Sequence, residues 1–258
     1  MTTQKDLLAS RILLRAVLPV AKVVAEDVPA MAERFRGVNA SFQIRAKNNE
    51  EYIGAGFRVT EGRLEWVDGI LENPDSRFSF GSPAAMNRFL TGGIALPGIK
   101  GLTKPRLLFK FITLLLSLTI LLPDKRPAAP DKIRLKIKLV IYMITTALSQ
   151  YNKAGDPDMK KWTGMQPDRI YQISCEPEGI AAYLRIKAGK SKAGRGYYTR
   201  KLPFVHMKLN TAENALPVFL NEVEFVEAIS KGYVEVEGSP EYAAKMNDFM
   251  QRIQALIT

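Results

Sequence analysis

Hydrophobic positions along the chain recur with two periods, and the change from one to the other marks the elements. Residues 7–24 are apolar but broken by Arg11, Arg15 and Lys22, which is the spacing of an amphipathic helix. Residues 52–59 and 63–67 alternate instead. Ile53, Ala55, Phe57 and Val59 share one face, Leu64 and Trp66 continue it, and half-buried strands follow. Ile180, Ala182, Leu184 and Ile186 repeat that alternation later in the chain. Short strands are predicted over 77–80 and 204–209. Ser82 and Thr211 then stand where a side-chain oxygen can accept an orphan amide hydrogen and start a helix, and these helices run to Leu90 and Leu220. Two further strands, 94–101 and 233–238, end in Gly101 and Gly238. Pro105 and Pro240 open the helices that follow, where the missing N–H of proline costs nothing.

The two series are copies of one plan. Phe42-Gln-Ile44 recurs as Tyr171-Gln-Ile173 after 129 residues, each opening a run of strands. The expected unit is helix, three strands, strand, helix, strand, helix. The proline-rich segment 123–130 separates the copies, so two domains are expected over residues 1–124 and 132–258, with 125–131 as the linker. The first copy is the divergent one. It has 11 positions from Leu90 to Gly101 where the second has 18 from Leu220 to Gly238, a deficit of about two helical turns.

Lys231-Gly-Tyr-Val-Glu-Val-Glu-Gly238, followed by Ser-Pro-Glu-Tyr-Ala-Ala-Lys-Met246, resembles the end of a sterol carrier protein type 2 (SCP-2-like) domain. There a glycine-bounded strand feeds a C-terminal helix. Residues 210–229 are similar to the paired helices that precede it. The resemblance implies an α+β fold of two tandem SCP-2-like domains, each a twisted, mainly antiparallel sheet covered by helices. It also implies an apolar tunnel for a fatty acyl or sterol-like ligand.

Composition narrows the chemistry. The chain has 258 residues, one cysteine (Cys175) and one histidine (His206), which excludes an internal disulfide, Cys-rich metal sites and multi-His metal sites. No nucleophile-elbow, zinc-protease or dinucleotide fingerprint occurs. His206 alternates with Val205 and Met207 and reads as outward, without a catalytic role, and Cys175 reads as a small, partly buried side chain. The expectation is therefore a chain without enzymatic activity, cofactor or metal.

The net charge is +11, and two windows hold the excess. Residues 100–138 carry ten basic side chains against Asp124 and Asp131, and 185–201 carry seven with no acid. An anionic partner surface is expected there. The loop 187–201 has the glycine spacing of a phosphate loop at Gly189 and Gly194, but Arg195-Gly196 replaces the needed Lys-Ser/Thr, so a nucleotide is excluded. Nucleic acid is not an expected partner, and a lipid headgroup contact suits the hairpin.

Residues 107–122 hold one charge, Lys110, and a 16-residue helix reaches only roughly 24 Å, short of a ~30 Å hydrocarbon core. A helix apolar all round needs cover all round. The apolar stretch 133–148 is the expected cover, with membrane docking or a homodimer through these helices as compatible alternatives. Without a secretory leader pattern, a cytoplasmic location, with membrane association compatible, is expected.

The expected function is non-enzymatic binding and transfer of a hydrophobic lipid ligand in an apolar tunnel, with docking to anionic membranes. A protein-interaction module using helix 107–122 is the alternative. The expected lining is Phe78, Phe80, Met86, Phe89, Phe111, Ile112 and Leu115 in the first copy. In the second it is Val205, Met207, Phe219, Phe225, Ile229, Met246, Phe249, Met250 and Ile253. The better-formed cavity is expected in residues 169–257, under Met246, Phe249 and Met250.

Overall fold

Residues 2–257 are described by a computed structural model; Met1 and Thr258, the outer ends of the two expected domains, lie outside the described residues. The chain divides into two units, one ending at Leu122 and one beginning at Pro123. Helices combine with two mixed five-stranded sheets, so the fold is α+β.

The first unit opens on α1 (Gln4–Ile12), whose end is closed by a reciprocal cap. The Thr3 hydroxyl accepts from the Asp6 amide at 3.1 Å, and the Asp6 carboxylate accepts from the Thr3 amide at 2.9 Å. The helical path continues through a π turn at Leu13–Val17 and a 3-10 turn at Leu18–Val20 into α2 (Ala21–Asp27). Pro19 explains the change of winding, because it lacks the N–H that an α-helix would use there. Nearly every apolar residue from Ile12 to Ala25 is buried while Arg11, Arg15 and Lys22 are partly exposed, the two faces of an amphipathic segment.

After α3 (Pro29–Phe35) come β1 (Ala40–Asn48), β2 (Glu51–Thr60), β3 (Arg63–Asp68), β4 (Ser76–Phe80), α4 (Pro83–Leu90), β5 (Gly98–Lys100) and α5 (Pro105–Ser117). The sheet order is β3-β2-β1-β4-β5. Only the β1–β4 pair is parallel. Two expectations are corrected here. Only Gly98–Lys100 of the expected strand 94–101 pairs, and Ile94 and Leu96 stand in solvent. The apolar helix 107–122 ends at Ser117 and tightens into a 3-10 turn over Leu118–Leu121. Leu108, Phe111, Leu114 and Leu115 form its buried stripe, whereas Phe109 and Leu116 are exposed, so it is not covered all round.

The second unit begins with α6 (Pro130–Ala154), which starts inside the segment read as linker and ends at Gly155 in the left-handed conformation. It continues through α7 (Pro157–Gly164), β6 (Arg169–Cys175), β7 (Ile180–Lys187), β8 (Lys190–Arg195), β9 (Val205–Leu209), α8 (Ala212–Phe219), α9 (Phe225–Ser230), β10 (Val234–Gly238) and α10 (Pro240–Ile257). Its sheet order, β10-β9-β6-β7-β8, is the order of the first sheet read from the other edge, again with one parallel pair, β6–β9. Helix α9 has no counterpart in the first unit, which is where the shorter Leu90–Gly101 interval falls.

The basic loop 187–201 is in part a strand. Ala188 and Gly189 both have positive φ (46° and 76°), which builds a tight hairpin turn and lets β8 pair with β7. Glu61 and Gly62 do the same between β2 and β3. Lys136 is a further correction. It lies on the α6 face of Ile133, Ile137 and Val140 and is buried, with its ammonium donating to the Lys125 carbonyl.

Candidate functional site

The expected lining residues of the first unit come together as a ring cluster. Phe42 on β1 stacks on Phe111 of α5 with centroids 5.0 Å apart, and Phe78 on β4 meets Phe111 at 5.1 Å. Phe89 on α4 closes over Phe78 and Phe80 at 5.8 and 5.2 Å. Phe42, Phe78, Phe80, Met86, Phe111 and Leu115 are buried, and Phe89 and Ile112 are half-buried. The alternation of β4 turns Phe78 and Phe80 inward, and the α5 stripe brings Phe111 down onto them.

In the second unit Val205 and Met207 lie on the inner face of β9, and Met246, Phe249 and Ile253 form the buried stripe of α10. Phe249 meets Trp162 of α7 at 5.4 Å and Tyr151 of α6 at 6.4 Å, while Trp162 meets Tyr171 of β6 at 5.2 Å. Met250, Phe219 and Phe225 are half-buried at the margin. Ile229 is not a wall residue: α9 buries Ala228 and leaves Ile229 and Val226 in solvent, because so short a helix has one inward position.

Sequence reasoning missed the aromatic and polar partners of this cluster. The Arg169 guanidinium packs against two rings that touch each other, 3.8 Å from Phe204 and 4.5 Å from Tyr242. The Tyr171 hydroxyl donates to Gln166, and burial raises its pKa. Beneath them, Thr163 donates to Asn152 at 2.9 Å, and Asn152 donates to Ser191 at 3.0 Å and to the Gly189 carbonyl at 2.9 Å. This buried network ties α6, α7 and β8 together with each group satisfied. Asn152 falls on a polar step of an otherwise apolar helix, which is the one signal of it in the sequence.

On the opposite face of the sheet, His206 shares a 2.8 Å hydrogen bond with Ser174, and Glu237 approaches its other ring nitrogen at 3.7 Å. Burial, then the Lys208 charge, lowers the His206 pKa. Ser174 is fully buried, so its hydroxyl meets no solvent-borne group in this arrangement. The Cys175 thiol is likewise buried and donates to the Glu178 carboxylate at 2.7 Å. Burial, and then that carboxylate, push its pKa upward, which keeps it a thiol.

A separate cleft of about 800 Å³ opens in the first unit, where Ser41, Arg58, Val67, Ile70, Glu72 and Asp75 are among its walls. Its lining is mixed and polar, unlike the expected apolar tunnel, and none of the expected lining residues contributes to it. Among the described residues no group of three or more His, Cys, Asp or Glu side chains gathers as a metal site, and no helix is long and apolar enough to cross a membrane.

No protein-family model matches the chain. No curated protein sequence matches it. Among solved structures, sterol carrier protein 2 like 2 of Aedes aegypti is similar at 19% identity with a TM-score of 0.31, over 43% of this chain and 97% of its own. A sec-alkylsulfatase of Pseudomonas sp. is similar at 16% identity with a TM-score of 0.26, over 55% of this chain and 28% of its own. A double mutant of a sec-alkylsulfatase matches at 15% identity with a TM-score of 0.28, over 65% of this chain and 30% of its own. The chain thus spans less than a third of the alkylsulfatase chains. The expectation that the chain lacks enzymatic activity is corrected by these matches and is not retained.

Proposed function

We propose that the chain is a tandem pair of sterol-carrier-like domains, residues 1–124 and 132–258 joined by 125–131, that binds a fatty acyl or sterol-like ligand and meets anionic membrane surfaces. The observation that carries this reading is a run of apolar side chains left in solvent between residues 94 and 116. Ile94 is 90% exposed, Leu96 92%, Leu102 68%, and Phe109 and Leu116 61% each. Lys100, Lys104 and Arg106 are interleaved with them and also exposed. Large apolar side chains in water mark a surface that something else covers. Interleaved cations suit a lipid headgroup layer, where each contributes about 1 kcal/mol within a Debye length.

The ligand part of the proposal draws on the second unit. Its sheet and α10 enclose a continuous apolar layer, and Phe219, Phe225 and Met250 form an incompletely covered edge through which a chain-like molecule can enter. Burial of a methylene is worth ~0.8 kcal/mol, so an acyl chain needs volume more than polar contacts. Mass spectrometry of an organic extract of the purified protein tests this directly. A stoichiometric co-purified lipid is expected, and a lipid-free protein that takes up no fluorescent fatty acid would refute it.

Exposed Phe109 and Leu116 on α5 also favour a second reading, a protein-interaction surface or homodimer through that helix. Concentration-dependent association in analytical ultracentrifugation that Phe109→Ser abolishes, without any vesicle binding, would select it.

A further inference from the structure

The outward face of the first sheet carries an uncompensated set of cations. Arg45 on β1 lies beside Ser79 on β4, Arg77 lies beside Lys100 on β5, and Lys47 lies beyond Arg45 toward the end of β1. No carboxylate pairs with Arg45, Lys47, Arg77 or Lys100 among the described residues. The second sheet handles the same register positions differently. Ser174 stands where the first sheet has Arg45, His206 where it has Arg77, and Glu237 where it has Lys100. There the serine bonds the histidine and Lys208 pairs with Glu237, so the charges are balanced within the face.

Arg45 is held in place. Its Nε donates to the Ser79 hydroxyl at 3.1 Å, and its guanidinium packs 3.9 Å from the Tyr52 ring. Among the described residues its terminal nitrogens meet no hydrogen-bond acceptor. The Nε of Arg77 is buried with no hydrogen-bond partner. Burial, and next the Arg45 charge, hold the Arg77 pKa below its ordinary value, so the two guanidinium groups feel each other. Gly54 beside Arg45 and Gly98 beside Ser79 add no side chain to this part of the face, and the nearest atoms to a Cβ at Gly98 would be 3.6 Å away.

Like charges gathered around unsatisfied donors are stabilised by an anion whose oxygens accept from several at once. We infer that Arg45, Arg77, Ser79 and Lys100 form a binding site for a phosphate-type oxyanion, carried either by a small soluble molecule or by a lipid headgroup. Guanidinium pairs match the oxygen geometry of such a group, Ser79 supplies a hydroxyl donor, and Lys100 adds a mobile charge at the rim. The site is separate from the apolar interior, and it shares only Lys100 with the 94–116 surface proposed above.

Titration calorimetry of the full chain with inorganic phosphate, against chloride at matched ionic strength, tests it. Saturable phosphate binding is expected, weakened about tenfold or more in Arg45→Gln and in Arg77→Gln. Lys100→Gln, at an exposed position, is expected to weaken binding severalfold without affecting the fold, and Lys190→Gln on the second unit to leave it unchanged. Co-sedimentation with phosphatidylcholine vesicles with and without phosphatidate identifies the source. Phosphatidate-dependent binding that free phosphate displaces and Arg45→Gln removes assigns a headgroup, and phosphate binding alone assigns a soluble molecule. Absence of saturable phosphate binding, or binding equal in wild type and in folded Arg45→Gln and Lys100→Gln, would overturn the site.

Discussion

Gln43 and Gln172 make the same set of hydrogen bonds in two separate sheets. The Gln43 side-chain amide donates to the Ile44, Ala55 and Gly69 carbonyls, and its oxygen accepts from the Leu71 amide. The Gln172 amide donates to the Ile173, Ala182 and Gly196 carbonyls, and its oxygen accepts from the Tyr198 amide. Both side chains are fully buried on the outward face, because each pins the segment leaving the third strand back across the sheet. A buried amide satisfied by backbone on both sides fixes that crossing and tolerates no shorter residue.

Gln43→Ala and Gln172→Ala should each destabilise their unit by about 2 kcal/mol or more, since several backbone groups lose their partner away from water. Urea unfolding with hydrogen exchange measures this by unit. Gln43→Ala should release exchange protection at Leu71 and leave Tyr198 protected, and Gln172→Ala should do the reverse.

Gly101 and Gly238 close the last strand of each sheet with φ of 105° and 93°. A Cβ would stand 2.6 Å from the Asp75 carbonyl at Gly101 and 2.1 Å from the Phe204 carbonyl at Gly238. Gly238→Ala combines left-handed strain with a backbone collision and should cost more than about 1 kcal/mol. Gly155→Ala has the strain without the collision, since nothing lies within 4 Å of a Cβ there. Thermal unfolding should therefore rank Gly238→Ala below Gly155→Ala.

Asp168 accepts two 2.7 Å hydrogen bonds from Arg185 and pairs with Lys201, which lowers its pKa from 3.8 to about 2. A depressed carboxylate adds stability above its unfolded pKa and loses it as the pH falls through the folded value. Asp168→Asn should thus be less stable than wild type at neutral pH. The difference should shrink between about pH 4 and pH 2, read from urea midpoints at each pH.

The raised Cys175 pKa predicts a thiol that resists alkylation in the native protein. Iodoacetamide labelling followed by mass spectrometry should find Cys175 unmodified under native conditions and modified in urea. Native labelling at the unfolded rate would contradict the burial.

Met250 sits half-buried at the edge of the α10 stripe, next to Phe249. Met250→Trp should block uptake of a fluorescent fatty acid and leave the circular dichroism spectrum unchanged, because the ring fills the entry without entering the core. Unchanged uptake by the folded variant would move the ligand to the first unit.

Much of the secondary structure of the two units was legible in the sequence because its signals are local. Ser82 and Thr211 accept from the Ala85 and Asn214 amides at 3.2 and 3.1 Å, as residues with short oxygen-bearing side chains do before a helix. The alternation of 180–186 and of 205–209 assigned inward and outward faces, because a pleated strand admits only two. The strand closures at Gly101 and Gly238 were visible because only glycine fits a positive φ pressed against a neighbouring carbonyl.

What tertiary structure alone decided was pairing across long distances in the chain. Strand 94–101 read as eight residues, yet only Gly98, Ile99 and Lys100 pair, with Ser79, Phe78 and Arg77 of β4. Lys136 counts among the cations of the basic window 100–138, yet it is buried on the apolar face of α6. The cluster of Arg169 against Phe204 and Tyr242 joins three positions with no common spacing. The cations Arg45, Arg77 and Lys100 lie in three strands that nothing in the sequence connects, since charge in a sequence has no partner until strand register supplies its neighbours. Local backbone preference writes caps, turns and faces into the sequence. Which side chains meet depends on strand order and register, set by the whole core at once.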